Sequence, residues 1–197
     1  MAIVFLDRQH IGNPRRIQSM GAGADIDGDG EIEIHEMEAT WTGKYLLSAE
    51  LRLRKAGIHV IPLCDGTYSE RHKRVNRYMG NFPNAVYIAA HINAGQGSYG
   101  SAFYDHRSKQ GPILAGKLCK QMKKWLTELR QDARAIACSP KDWTKNAYYT
   151  IANTKAIAIC YEPCFIDTRS HRSLFSDHGM ERIGWALADG IIDFFGG

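Results

Sequence analysis

The sequence predicts an α/β protein: a single-domain, three-layer α/β/α fold around a mostly parallel or mixed twisted sheet of about five or six strands. Three observations predict it. Short apolar runs alternate with longer amphipathic segments along the whole chain. The 197 residues, 44% of them hydrophobic and 23% charged, suffice for one core and little more. No internal repeat, low-complexity tract or linker divides the chain.

The elements follow in order. Residues 2–7, AIVFLD, read as a short buried strand. Residues 11–35 hold much Gly and Asp with one Pro, and form a long loop whose ordering needs a ligand or a function to offset its entropy. A helix over 39–56 carries Leu46, Leu47, Leu51 and Leu53 as its apolar stripe and stops at Gly57. Residues 58–63 form the next strand, and a helix covers 68–79 after the turn Asp65-Gly66-Thr67. The clearest strand is 86–90. Beyond a Gly-rich loop, 101–105 is an edge or hairpin strand. Leu114, Leu118, Met122, Trp125 and Leu129 recur at helical spacing and mark a helix over 111–130. Strands over 134–138 and 155–161 precede a last helix over 178–195, with Ile183, Leu187, Ile191 and Phe195 on one face.

Lys and Arg total 25 against 21 Asp and Glu, a net charge of +4 with a pI near 8.8. That is modest for a nucleic-acid binder, and the densest basic stretch, Arg71 to Arg74 with Arg77, suits a solvated face or an anionic contact. The five cysteines are odd in number and scattered through apolar runs, which favours buried free thiols; Cys160 and Cys164 could pair only if the backbone turns between them. No segment approaches the apolar length of a membrane span, and the first residues show no signal-peptide pattern. Synthesis in the cytoplasm, no membrane partner and no nucleic-acid partner are therefore expected.

In α/β folds, chemistry gathers at the carboxyl ends of strands. Three predicted strands here end in polar residues: Asp7 with His10 after the first, His91 after 86–90, and Glu162 after 155–161. With one carboxylate from 31–38, two imidazoles and two carboxylates can converge. A catalytic zinc takes three such ligands and leaves a place for water, while a further carboxylate moves the proton. The alternatives remain open: His10 as a surface histidine, His91 as a buried one satisfied by backbone, Asn93 as a turn former or a substrate contact. Glu162, between Tyr161 and Pro163 after an apolar strand, is costly to bury unpaired. No H-E-x-x-H, G-x-S-x-G, Walker or G-x-G-x-x-G pattern is present.

Residues 25–36, DIDGDGEIEIHE, match a calcium loop. Asp25, Asp27 and Asp29 fall at positions 1, 3 and 5, Gly30 at 6, Glu31 at 7, Glu33 at 9 and Glu36 at 12. The helix that ordinarily precedes such a loop is absent, and so is a second loop to pair with it. The pattern predicts one structural calcium that staples a loop within another fold; an acidic surface loop is the alternative.

The strand ends carry a resemblance. IVFLDRQHIGN resembles the strand and Gly-His-Gly-Gly loop of the zinc-dependent N-acetylmuramoyl-L-alanine amidases of cell-wall hydrolases and phage endolysins. YIAAHINAG resembles their Ser-x-His-x-Asn strand end, and AIAICYEPCFID their Leu-Val-Glu-x-Gly-Phe-x-Asn strand end. Arg71, Val75 and Asn76 resemble an Arg-x-x-x-Ala-Asn segment. The departures are Arg8-Gln9 before the first histidine, Ile11 after it, Ala89 in place of serine, and Pro163-Cys164 after the glutamate.

The resemblance implies a single catalytic domain over residues 1–197, with one zinc ion on His10, His91 and a glutamate that opens the helix after the first loop. Counting back from Gly57 favours Glu38 over Glu36. It implies Glu162 as the catalytic carboxylate, and gives Asp7, Asn93 and Arg71 weaker roles beside zinc or substrate. The implied reaction cleaves the amide between N-acetylmuramic acid and L-alanine of peptidoglycan by a monomer acting on the bacterial wall after lysis or other export. A calcium-binding interaction module, and a zinc carboxypeptidase or aminoacylase on a related fold, are the rival readings. Since the resemblance fills nearly the whole chain, no separate wall-binding module is expected.

Overall fold

The computed structural model describes residues 1–10, 20–141 and 143–196. In chain order its elements are β1 (Ile3–Arg8), α1 (Glu38–Lys55), β2 (His59–Leu63), α2 (Tyr68–Tyr78), β3 (Val86–Ala90), β4 (Gly100–Asp105), α3 (Gly111–Trp125), β5 (Ala133–Cys138), α4 (Lys145–Ile151), β6 (Ile157–Glu162) and α5 (Asp177–Gly196). The six strands form one mixed sheet in the order β2-β1-β3-β6-β4-β5. The first four strands of that order run parallel; β4 lies antiparallel to β6 and carries β5 parallel to itself.

Period-two alternation sends side chains to two cores. Val4, Leu6, Ile88 and Ala90 pack under α1, α3 and α5, against residues such as Tyr45, Leu53, Leu118 and Leu187. Ile3, Phe5, Tyr87, Ala89 and Cys160 face the other way, toward Val75 of α2 and Ala147 and Ile151 of α4. The central strands are buried on both faces, as helix-covered parallel strands must be. Among the described residues no helix is long and apolar enough to cross a membrane.

Local chemistry explains several boundaries. At α2 the Thr67 hydroxyl accepts the Glu70 N–H while the Glu70 carboxylate accepts the Thr67 N–H, a reciprocal cap that starts the helix at Tyr68. The amphipathic run beyond 111 breaks at Trp125; a short 3-10 turn, Thr127–Leu129, keeps Leu129 buried, and left-handed backbone at Arg130 and Gln131 ends it.

Three expectations are corrected. The strand over 101–105 is interior, because it pairs with β6 on one side and β5 on the other; β5 is the edge. Leu47 and Leu51 are 60% and 63% exposed, since the buried face of α1 uses Trp41, Tyr45, Leu46, Ala49 and Leu53 instead. Helix α4, two turns long, was not foreseen. Cys160 and Cys164 are both buried and neither is in a disulfide, so they do not pair.

Met1, Ala2 and Phe195 border one hollow beside Phe82 and Asn84. Both described ends of the chain therefore sit at the amino ends of β1 and β3, across the sheet from their carboxyl ends.

Candidate metal centre

The register of the parallel strands assembles the site. Arg8 pairs with Ala90 and Ala90 with Tyr161, so the residues that follow leave the sheet at one level. These are Gln9 with His10, then His91, then Glu162. From β1 the chain runs outward to β2 and returns across to β3, so His10 and His91 flank the point where strand order reverses. His10 adopts left-handed backbone at φ 53°, a conformation uncommon outside glycine.

Glu38 enters from α1, of which it is the first residue, and its side chain is buried. One carboxylate oxygen lies 3.0 Å from His91 Nδ1 and accepts the Ile92 N–H at 3.0 Å; the other accepts the Ala22 N–H at 3.1 Å and lies 3.8 Å from His10 Nε2. The imidazoles of His10 and His91 meet edge to face, 5.2 Å between centroids. Gly21, at φ +86°, makes room for this carboxylate: a Cβ there would stand 2.3 Å from Glu38 Oε2.

One donor atom each from His10, Glu38 and His91 lie within 4.8 Å of one another. Tetrahedral zinc with bonds of ~2.0–2.2 Å sets its ligand atoms ~3.4 Å apart, a spacing bracketed by the 3.0 Å and 3.8 Å distances from Glu38 to His91 and His10. The buried His91 Nε2 has no hydrogen-bond partner. Both observations fit a metal held by two imidazoles and one carboxylate.

The two glutamates differ in environment. Burial opposes ionisation of Glu38, but the His91 hydrogen bond, the two imidazoles and the Ile92 N–H outweigh it and hold the carboxyl below its ordinary range. Burial pushes Glu162 up, only partly offset by His91. The Asn93 amide donates to one Glu162 oxygen at 2.5 Å, and the Cys160 thiol lies 3.7 Å from the other. His10, His91 and Glu162 share a cavity of about 460 Å³ whose far wall is built by α2 and α4. A larger hollow, about 650 Å³ between α1 and α5, holds none of these groups, so chemistry rather than volume marks the site.

Asp7 and Arg71 meet each other beside the site. Odd-numbered residues of β1 face α2 and α4, so Asp7 turns into that layer. There it takes the Arg71 guanidinium at 2.9 Å and the Tyr87 hydroxyl. Arg71, 4% exposed, also donates to the Gly66 carbonyl. Burial pushes the Asp7 carboxyl up against the pull of Tyr87 and Arg71. Sequence reasoning missed Gly21, Ala22, the Cys160 thiol and the wall contributed by α4; only Gly21, one glycine among several between 21 and 30, left any signal.

In the loop over 25–36, the carboxylates are occupied by backbone. Asp25 accepts from Gly28 and Gly30, Asp27 from Asp29, and Asp29 from Glu31. Glu36, fully buried, accepts the N–H groups of Ile26, Asp27 and Glu33. It is thereby separated from the histidines, and of the two candidate glutamates it is Glu38 that joins them. Asp25, Asp27 and Glu36 also draw together, as do Asp27, Glu33 and His35; Asp29 and Glu31 are in neither group. Ile11, the other departure flanking His10, lies outside the described residues.

The family model described as N-acetylmuramoyl-L-alanine amidase matches residues 7–193. Among solved structures, Cwp6 from Clostridium difficile is similar with a TM-score of 0.73 and 21% identity, over 97% of this chain and 29% of that one. The N-acetylmuramoyl-L-alanine amidase AmiC2 of Nostoc punctiforme gives a TM-score of 0.75 at 16% identity, over 99% of this chain and 97% of that one. The catalytic domain of CwlV, an amidase from Bacillus (Paenibacillus) polymyxa, gives 0.70 at 19% identity, over 100% and 99%. The chain thus spans under a third of Cwp6 and nearly all of the other two. At these identities the structures share the fold. No curated protein sequence matches the chain significantly.

Proposed function

Because the chain belongs to the N-acetylmuramoyl-L-alanine amidase family, we propose that it hydrolyses the amide joining N-acetylmuramic acid to the L-alanine of peptidoglycan stem peptides, with zinc held by His10, Glu38 and His91. The observation that carries this reading is the convergence of those three donors beside a second, separately placed carboxylate. A zinc ion there supplies Lewis acidity toward the scissile carbonyl and the attacking water.

The rest falls to the protein. Glu162 accepts the proton of the attacking water and delivers it to the leaving alanine nitrogen, which departs as an amine. Its raised affinity for a proton suits a group that takes and returns one in a single turnover. The Asn93 amide and the Cys160 thiol fix the direction of its two oxygens. Glu38 keeps its charge at the ligand position, supported by two backbone N–H donors from separate segments.

Digestion of purified peptidoglycan, with and without added zinc and followed by mass analysis, tests the reading. Zinc-dependent release of intact stem peptides beginning with L-alanine is expected; loss of single terminal residues instead would assign a carboxypeptidase. Metal analysis is expected to return about one zinc per chain.

For the loop over 25–36 the reading is one structural calcium, supported by the match of spacing and by the approach of Asp25, Asp27 and Glu36. Chelated protein resupplied with zinc alone is then expected to melt lower and turn over more slowly than protein given both ions. Full recovery on zinc alone removes calcium from the account.

A further inference from the structure

Two cavities adjoin on the α2/α4 side of the candidate centre. The inner one, about 460 Å³, holds His10 and Glu162; the outer one, about 290 Å³, includes Lys73. Tyr68 and Tyr149 line both, so the two rings stand along one path leading outward from the reacting groups. They are 40% and 57% exposed, although large aromatic side chains are usually drawn into cores or partners.

These walls are fixed. The Arg71 guanidinium sits 4.8 Å from the Tyr68 ring centroid and is itself anchored on Asp7. The His72 ring bonds the Thr150 carbonyl at 3.1 Å, and the Asn76 amide donates to the Asn153 carbonyl at 3.0 Å, tying α2 to α4. The spacing of the tyrosines is therefore held by buried and interhelical contacts, independent of any ligand.

The lining of the inner cavity is aromatic and neutral-polar beyond the reacting groups, with Asn146 and Thr150 beside the tyrosines, and among the described residues it includes no Lys or Arg. A stem peptide carries several carboxylates and seeks cations; a sugar offers C–H faces for aromatic stacking and hydroxyl and acetamido groups for neutral hydrogen bonds. Two joined hollows along one path also suit consecutive units of a polymer.

We propose that Tyr68 and Tyr149 form the subsite that holds the glycan strand on the sugar side of the scissile amide, with Asn146 and Thr150 as polar contacts. The proposal rests on the amidase reading, and it names which part of that substrate this wall receives.

The test measures binding without turnover. Peptide-free oligosaccharides of N-acetylglucosamine and N-acetylmuramic acid, and separately a free stem peptide beginning with L-alanine, are titrated into the zinc-loaded protein and its variants by NMR. Tyr149→Ala is expected to weaken oligosaccharide binding by about tenfold, the size of one good aromatic contact, and to leave the stem peptide within about twofold. Tyr149→Phe, which keeps the ring, is expected to retain the oligosaccharide. Melting temperature is read for each variant, and since Tyr149 is exposed no loss of fold is expected. The proposal is overturned if Tyr149→Ala weakens the peptide and spares the oligosaccharide, if it weakens both alike, or if the unaltered protein binds no oligosaccharide at millimolar concentration. Failure of the amidase reading shows elsewhere, in the products of the peptidoglycan digest.

Discussion

Gly21→Ala tests the construction of the metal centre from outside its ligand set. Two costs arise together. At φ +86° a side chain enters the left-handed region, at roughly 1–2 kcal/mol. The new methyl would also stand 2.3 Å from Glu38 Oε2 and 2.9 Å from its Cδ, whereas non-bonded carbon contacts settle at ~3.5–4.0 Å. Glu38 must therefore withdraw by about 1 Å, several times the ~0.2 Å tolerance of a ligand position. It would lose the Ala22 N–H bond in the process. Disturbing such supporting contacts typically lowers metal affinity ~10–100-fold. Gly57→Ala is the control: its φ is +78° with nothing within 4 Å of the added carbon, so it carries the backbone cost without the push. Competition against a chromophoric chelator reads zinc affinity, and thermal melting reads stability. Both variants are expected to melt lower by ~2–4 °C per kcal/mol, and only Gly21→Ala to bind zinc more weakly. Equal zinc affinity in the two variants would refute the argument that Gly21 exists to seat Glu38.

Other outcomes follow from the same geometry. Glu162→Gln is expected to lower kcat by ~10²–10⁴-fold while zinc content stays at the unaltered level; loss of zinc instead would make Glu162 a ligand. Since burial raises Glu162 above its ordinary value of 4.5, the ionised base is present only above that raised value, and kcat/KM should fall with decreasing pH from a limb above 4.5. A limb below that value contradicts the assignment. Arg71→Met strands the Asp7 carboxylate in the interior and should cost ~3–5 kcal/mol in urea unfolding, with Asp7→Asn in the same chain restoring part of it; a loss below ~1 kcal/mol would show the pair to be dispensable. Of the five thiols, only Cys64 should react rapidly with Ellman's reagent in native protein, and all five in denaturant.

Legibility in the sequence followed the range of the interactions. Strand 86–90 was visible because five consecutive apolar residues end abruptly at a histidine, whereas Glu38 as the opening of α1 came from the family resemblance, counted back from the stop at Gly57. The strand-end placement of His10, His91 and Glu162 was legible because parallel register needs only the ends of apolar runs. Helix α4 was not, since KNAYYTI has only two apolar positions that reach the core, Ala147 and Ile151, too few to display a period. The interior position of β4 depends on a reversal of strand direction that no local pattern encodes. Arg71 and Asp7 are 64 residues apart and meet only once α2 lies on the sheet, so each looked in isolation like a residue free to serve the site. Leu47 and Leu51 show the limit of hydrophobicity itself: α1 turns its aromatic and alanine face inward and leaves two leucines in water.

The gathering of Met1, Ala2 and Phe195 at the amino ends of β1 and β3 has a mechanical meaning. A protein anchored by either end, on a bead, a fused carrier or a surface, presents the cleft away from its support. Tension applied between the two ends would load β1 and the tail of α5 at the far rim, while His10, His91 and Glu162 stand off the line of force. On the function proposed above, whose substrate is an insoluble mesh, that geometry lets the cavity meet the mesh face-on with any support behind it.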